Sequence, residues 1–307
     1  MGDKVASRLL AGVEAGGTKF VCAVGHGPDG ILAEKTIPTT TPGETTQRVR
    51  DFLGEAARNH GPIDGLGVVS FGPVDPDPAS SGYGCITRTP KDGWQGVDLL
   101  GMLQAGLNVP VGFDTDVNGA ALGEWRWGSA KGLDTFVYVT VGTGIGGGGL
   151  AGGRRMHGLV HPEMGHIPVP RDPARDPFPG ICPFHGDCLE GLASGPALKA
   201  RWGRPASELH DRPEVWELEA DYLAAALQSF VFILSPQRII LGGGVMETPG
   251  LVELVRTRLV QRLNGYAVHP TLQGDLSDFV VRPALGKRSG VLGAFALAEQ
   301  TLAWSGG

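Results

Sequence analysis

Leu9-Leu10-Ala11-Gly12-Val13-Glu14-Ala15, then Gly16-Gly17-Thr18-Lys19, then Phe20-Val21-Cys22-Ala23-Val24-Gly25: an apolar run, a glycine-threonine break and a second apolar run open the chain. Apolar runs on either side of a Gly-Gly pair read as strand, tight turn, strand. The pattern returns at Thr135-Phe-Val-Tyr-Val-Thr-Val141, Gly142-Thr-Gly-Ile-Gly-Gly-Gly-Gly149 and Leu150-Ala151. The two copies, at 9–25 and 135–151, predict two related halves. Each half offers a glycine hairpin whose backbone N–H groups can hold phosphate oxygens, at Gly17, Thr18 and Lys19 and again at Gly142 and Thr143. A plain hairpin is the alternative for either turn.

Neither copy is a standard nucleotide loop. Gly12 and Gly17 have the spacing of a Walker loop, but Thr18 precedes Lys19 and a strand follows where a helix is required. Gly142-x-Gly144-x-x-Gly147 satisfies the dinucleotide expression, yet the residues up to Gly158 include Gly152-Gly153 and lack helical periodicity.

Other strand ends extend the theme. The buried-strand run Gly65–Phe71 leads into Gly72-Pro73, a turn able to bring backbone close to a ligand, and a turn-rich stretch from Val74 to Asp98 follows. Val109–Phe113 delivers Asp114-Thr115-Asp116 to the start of a helix through Glu124. Acids at such a point face a ligand crevice in open α/β sheets, and helix capping is the other reading. Arg238–Leu241 ends in Gly242-Gly243-Gly244-Val245-Met246, where a flat ring could lie on bare backbone. Helical spacing marks Thr46–His60, Val215–Leu234 and Ser289–Trp304, and a further helix is entered through Ser194 with Pro196 in its first turn.

The densest chemistry lies in His161-Pro-Glu163-Met-Gly-His166 and Cys182-Pro-Phe-His185-Gly-Asp-Cys188-Leu-Glu190. Cys182, His185 and Cys188, with His166 upstream, can complete a tetrahedral zinc shell. Prolines at 168, 170, 173, 177 and 179 deny the intervening stretch regular structure, so a metal would hold it down and fix Glu163 and Glu190 in space. Four protein ligands leave no open position, which assigns the ion a structural task.

Composition narrows the class. The chain has 307 residues, 41% of them hydrophobic and 19% charged, enough for one large or two medium cores. A net charge of −6 and a pI near 5.8 argue against nucleic acid or an anionic membrane as partner. Four cysteines do not suggest a disulfide framework. Met1–Arg8 lacks the apolar region of a signal peptide and no apolar run reaches the ~18 residues of a spanning helix, so a cytoplasmic address is expected.

Taken together, Ala15-Gly-Gly-Thr-Lys19, Asp116-Val-Asn118-x-Ala-Ala-Leu-Gly-Glu124, Gly142-Thr-Gly-Ile-Gly146, Glu163-Met-Gly-His166, the Cys182/His185/Cys188-Leu-Glu190 cluster and Leu241-Gly-Gly-Gly244 resemble the ROK family (repressor, open reading frame, kinase) of bacterial sugar kinases. The likeness covers nearly the whole chain. Tyr83–Trp94, the pair Thr115-Asp116 and Cys182–Glu190 resemble its fructokinase branch. The resemblance implies a two-domain α/β actin-like (ribonuclease H-like) ATPase fold with an interdomain active-site cleft. The expected division is 1–114 with a C-terminal piece 290–307, and 115–289 with the zinc loop inserted. It also implies ATP-dependent conversion of D-fructose to fructose 6-phosphate, with Asp116 as general base. Gly72, Thr115, Glu163, His166 and Glu190 would meet the sugar. The nucleotide would lie on the two hairpins, Pro196 and Gly242–Met246.

Implied cofactors and partners are ATP, Mg2+, structural Zn2+, a hexose and a second copy in a homodimer. Two departures stand out: Thr115 and Glu14 occupy positions where many hexose kinases of the family carry Asn and Asp. Glu14 keeps a carboxylate able to hold Mg2+ through water. A glucokinase or manno(fructo)kinase is the nearest alternative. A sugar-responsive repressor is disfavoured, since only about eight residues precede the first strand where a DNA-binding domain would stand. A nicotinamide dehydrogenase has only the weak glycine match behind it.

Overall fold

The computed structural model describes residues 8–304. The first seven residues, on which the signal-peptide reading bears, and the last three of the expected piece 290–307 lie outside them. In chain order the elements are β1 (Leu10–Ala15), β2 (Lys19–Gly25), β3 (Ile31–Pro38), α1 (Pro42–His60), β4 (Gly65–Ser70), α2 (Leu99–Gln104), β5 (Val111–Thr115) and α3 (Asp116–Trp127). There follow β6 (Phe136–Val141), β7 (Ile145–Ala151), β8 (Arg154–Arg155), α4 (Leu189–Ala193), α5 (Gly195–Trp202), α6 (Pro213–Leu234), β9 (Arg238–Gly242), α7 (Leu251–Leu263), β10 (Val280–Val281) and α8 (Ser289–Trp304).

The two hairpins read from the glycine breaks are β1–β2 and β6–β7, each antiparallel, with Ala15 opposite Phe20 and Val141 opposite Ile145 at the turns. Each seeds a five-stranded sheet. The first runs β3-β2-β1-β4-β5 and the second β8-β7-β6-β9-β10. In both, the first three strands are antiparallel and the last two lie parallel to the hairpin's first strand or its neighbour. The repeat seen in two short stretches is therefore a repeat of whole sheets. Because β7 continues as a strand after Gly142-Thr-Gly144, the dinucleotide-type match is excluded.

The chain forms two compact units. One holds the described part of Met1–Lys131, with His157–His161 and the described part of Lys287–Gly307; the other holds Gly132–Met156 and Pro162–Gly286. The chain first leaves this unit after Lys131, 17 residues beyond the expected division at 114, because α3 packs against α8 and β4 of the first unit. The first unit's core joins Phe20, Leu53, Leu66, Trp94 and Phe113. Trp94, inside the turn-rich stretch from Val74 to Asp98, is fully buried, its indole N–H donating to the Thr40 carbonyl at 3.0 Å. The second unit's core sits between the β6-β9 sheet and α6 and α7, with Val139, Leu223, Leu227, Leu241 and Val255 among its members.

The tightest packing in the first unit is backbone on backbone. A Cβ on Gly293 of α8 would lie 1.7 Å from the Gly119 carbonyl oxygen of α3, and one on Gly67 of β4 would lie 1.8 Å from the Ala294 carbonyl oxygen. No side chain fits there, so the helices approach as closely as bare backbone allows. At the end of this contact the Glu124 carboxylate, fully buried, accepts from the Ser289 hydroxyl and the Ser129 N–H, both at 2.7 Å. The last turn of α3 is thereby tied to the start of α8. Gly293→Ala should cost about 3 kcal/mol of stability or more, since overpacking against backbone cannot relax by rotamer change. Gly43→Ala in α1, where an added Cβ meets nothing within 4 Å, should be neutral or mildly stabilising. Urea unfolding of the two variants tests the contrast.

Candidate active site and metal cluster

In the first unit the turn after β1 is closed by Gly16 N–H to the Lys19 carbonyl at 3.0 Å and tied to the next segment by Thr39 N–H to the Thr18 carbonyl at 3.0 Å. Gly17, Thr18 and Lys19 are exposed, and nothing stands within 4 Å of where a Gly17 Cβ would be. The turn therefore presents open backbone, as a phosphate cradle must. One residue before the end of β1, Glu14 packs against Gly290, where a Cβ would lie 2.3 Å from the Glu14 carboxyl carbon. Burial pushes the Glu14 carboxyl up to about 7; the Asp116 charge adds to the rise, while Lys19 and the Val291 N–H oppose it.

Strand β5 runs two residues further than its expected end and carries Asp114 and Thr115. Capping of α3 falls to Thr115, whose hydroxyl accepts from Asn118 N–H at 3.1 Å. Thr115 is 2% exposed, so its hydroxyl keeps one donor for any further partner. Asp116 is consequently the first helical residue and not the cap. Its Oδ1 accepts from Val117 N–H at 2.9 Å, and the positive end of the helix favours its negative form. Beneath it Asp114, 1% exposed, accepts at Oδ1 from Thr115 N–H at 2.7 Å and from the Asn118 amide at 3.0 Å. The same oxygen lies 3.0 Å from His157 Nε2. Gly72 precedes a cis peptide to Pro73, and the His161 ring stands 3.4 Å from where its Cβ would be.

In the second unit the turn after β6 is closed by Gly142 N–H to the Gly144 carbonyl at 2.9 Å, with Thr143 exposed at its tip. Here a side chain joins in: Glu190 Oε2, from α4, accepts the Ile145 N–H at 2.9 Å. The other oxygen, Oε1, lies 3.9 Å from His166 Nε2. The opposite nitrogen of that ring, Nδ1, lies 3.7 Å from Cys182 Sγ and 3.5 Å from Cys188 Sγ. His185 Nδ1 stands 3.6 Å from Cys182 Sγ. Ligand atoms of His166, Cys182, His185 and Cys188 all lie within 4.8 Å of one another, a four-donor cluster able to hold a metal ion.

The local backbone is built for this convergence. Cys182 N–H and Gly186 N–H exchange bonds with each other's carbonyls at 3.1 and 2.9 Å, and Gly186 takes φ +66°. Glu163 is exposed at the start of the one-turn helix that carries His166, and its carbonyl accepts His166 N–H at 3.0 Å.

The proline-rich stretch is held by more than this cluster. Asp176, 3% exposed, accepts from the Tyr222 hydroxyl at 2.6 Å and pairs with Arg201 at 3.1 Å, while Arg201 also lies over the Phe178 ring at 4.5 Å. Glu219 is fully buried nearby, and burial raises its carboxyl well above the usual range, the Arg201 charge opposing. A stretch poor in apolar residues thus owes its order to a buried ion pair as well. An Asp among prolines and an Arg on a distant helix leave no sequence signal of that pairing.

The proposed nucleotide residues separate into two kinds. Gly243 has φ +93° and a Cβ there would sit 2.4 Å from the Val141 carbonyl oxygen, while Gly244 is open. Val245 and Met246 are 3% and 1% exposed and belong to the core, so only their backbone is left for a ligand. Pro196 is exposed in the first turn of α5, and the preceding Gly195 N–H donates to the Gly142 carbonyl at 2.8 Å, joining α5 to the hairpin turn.

Glu14 yields a pH prediction. A carboxyl whose folded value is about 7 against 4.5 keeps its proton in the folded state where the unfolded chain has lost it, so stability falls as pH rises from about 4.5 to about 7. Glu14→Gln removes that penalty and preserves an acceptor for Val291. Its melting temperature should exceed that of the unaltered protein at pH 8, and the two should converge below pH 5 in thermal melts.

The sequence profile of the ROK family matches residues 10–301. The fructokinase of Zymomonas mobilis subsp. mobilis (strain ATCC 31821 / ZM4 / CP4) is 44% identical over 299 residues, covering 95% of this chain and 96% of that one. The fructokinase of Pediococcus pentosaceus is 41% identical over 294 residues, covering 96% and 99%. Among solved structures, a ROK family glucokinase from Streptomyces griseus in complex with glucose and AMPPNP superposes with a TM-score of 0.75 at 26% identity, over 95% of this chain and 99% of that one. The two-sheet architecture is the expected actin-like ATPase fold, and the chain belongs to the ROK family.

Proposed function

We propose that the chain is an ATP-dependent fructokinase that converts D-fructose to fructose 6-phosphate. The observation that carries this reading is its full-length likeness to two fructokinases at 41% and 44% identity. AMPPNP in the Streptomyces griseus relative supports ATP as the donor.

Phosphoryl transfer needs alignment and charge stabilisation more than covalent help. Asp116 takes the proton of the sugar's primary hydroxyl as that oxygen bonds to the γ-phosphorus and the bond to the β-γ bridging oxygen breaks, releasing ADP. The start of α3 and the Val117 N–H hold the carboxylate in its basic form. Glu163, His166 and Glu190 Oε1 engage sugar hydroxyls, and the open turns at Gly17–Lys19 and Gly142–Thr143, with Pro196 and the backbone of Gly242–Met246, hold the nucleotide. Glu14, whose ionised form is disfavoured by burial and by the Asp116 charge, is the carboxylate that would hold Mg2+ through water, and the ion would supply neutralisation of phosphate charge.

For the four-donor cluster we propose zinc. Tetrahedral bonds of about 2.3 Å to sulfur and 2.05 Å to nitrogen imply sulfur-to-nitrogen edges of about 3.6 Å. The three contacts at 3.5, 3.6 and 3.7 Å match that edge. His166, Cys182, His185 and Cys188 would fill all four positions, leaving the ion to order the loop. A cytoplasmic address and a homodimer complete the proposal; among the described residues no helix is long and apolar enough to cross a membrane.

Asp116→Asn should lower kcat by about a thousandfold, within the range of general-base catalysis, and leave the fructose KM within threefold. Steady-state kinetics showing a kcat within tenfold of the unaltered enzyme would exclude the general-base role. In the same coupled assay fructose should give the highest kcat/KM among fructose, mannose, glucose and N-acetylmannosamine. A higher value for mannose or glucose would reassign the substrate.

A further inference from the structure

His157-Gly-Leu-Val-His161 belongs by its contacts to the first unit, although the chain on both sides of it belongs to the second. At one end His157 Nε2 lies 3.0 Å from Asp114 Oδ1, 43 residues away in sequence. At the other, His161 is 7% exposed and its Nε2 accepts the Val74 N–H at 3.1 Å, across 87 residues. The residues between the histidines are exposed, and Gly158 N–H turns back to the Val160 carbonyl at 2.8 Å within the segment. The segment has no apolar side chain in the core, so its two imidazoles fasten it.

Both anchors land beside residues that the proposed reaction uses. Asp114 immediately precedes Thr115 and Asp116, and Val74 follows Gly72-Pro73. The chain then runs from His161 through Pro162 into Glu163 and His166. The two rings work in opposite senses: His157 must present an N–H at Nε2 to a carboxylate, whereas His161 must present a lone pair at Nε2 to an amide.

We infer that His157 and His161 are positioning residues for sugar binding, which fasten the segment 157–161 to the turn at Gly72–Val74 and the end of strand β5 at Asp114, and so set where the chain enters Glu163-Met-Gly-His166. The inference rests on the hexose-kinase reading above. Glutamine can replace either ring, donating from its amide nitrogen at 157 or accepting at its oxygen at 161; leucine can do neither.

The test compares His157→Leu, His157→Gln, His161→Leu and His161→Gln in the full-length, metal-replete enzyme, reading the KM for fructose, the KM for ATP and the melting temperature. The leucine variants should raise the fructose KM at least tenfold with the ATP KM changed less than twofold, and the glutamine variants should recover most of the loss. Side-chain exposure of 30% at His157 makes its leucine variant the safer one to fold, and it carries the test if His161→Leu does not. A leucine variant that folds with an unchanged fructose KM overturns the inference, as does a rise shared equally by both substrates with a lower melting temperature. An unaltered enzyme that phosphorylates no hexose overturns the functional reading and this inference together; an active one whose variants do not move overturns this inference alone.

Discussion

A single carboxylate and a single imidazole connect the parts of the second unit that matter for function. Glu190 Oε2 accepts the Ile145 N–H at the base of the hairpin turn, its Oε1 faces His166 Nε2, and His166 Nδ1 faces two sulfurs. Hairpin turn, carboxylate, imidazole and cysteine cluster form one continuous series, each member oriented by the next. A histidine held through one nitrogen presents the other in a fixed direction, which is the property needed to distinguish one arrangement of hydroxyls from another. The buried Asp176–Arg201 pair secures the proline-rich stretch on the far side of the cluster.

The first unit solves its own positioning problem with glycine. The close passage of α8 over Gly67 and Gly119 and the Glu124–Ser289 bond hold together two helices, one carrying Asp116 at its start and the other facing Glu14 at its start. Burial and the Asp116 charge raise the cost of ionising Glu14, a cost a divalent cation would relieve. The same sheet order in both units shows how one hairpin design serves twice: the turn of each hairpin is the place where backbone N–H groups stand clear of side chains.

The architecture was legible because its signals are short-range. Glycine breaks between apolar runs marked both hairpins, and the spacing of Cys182, His185 and Cys188 marked the cluster. The helix at Ser289–Trp304 was legible to the residue. What escaped depends on pairs distant in sequence. Nothing local says that His157 meets Asp114, that Asp176 pairs with Arg201, or that Trp94 lies in the core. The cap of α3 was also ambiguous, since Asp114, Thr115 and Asp116 are all competent, and only the extent of β5 assigns it to Thr115. For Val245 and Met246 a glycine-rich context pointed to a ligand, whereas their apolar side chains follow the ordinary preference for the interior.

If a metal-ordered cluster aims His166 and Glu190 at the sugar, fructose affinity depends on the metal. This is tested by calorimetric titration of fructose into one preparation before and after the metal is stripped, with metal content measured and the fold monitored by circular dichroism. The prediction is about one equivalent of zinc at the start, and on stripping at least a tenfold loss of fructose affinity with nucleotide affinity and overall fold retained. Unchanged fructose affinity in the metal-free protein would contradict it.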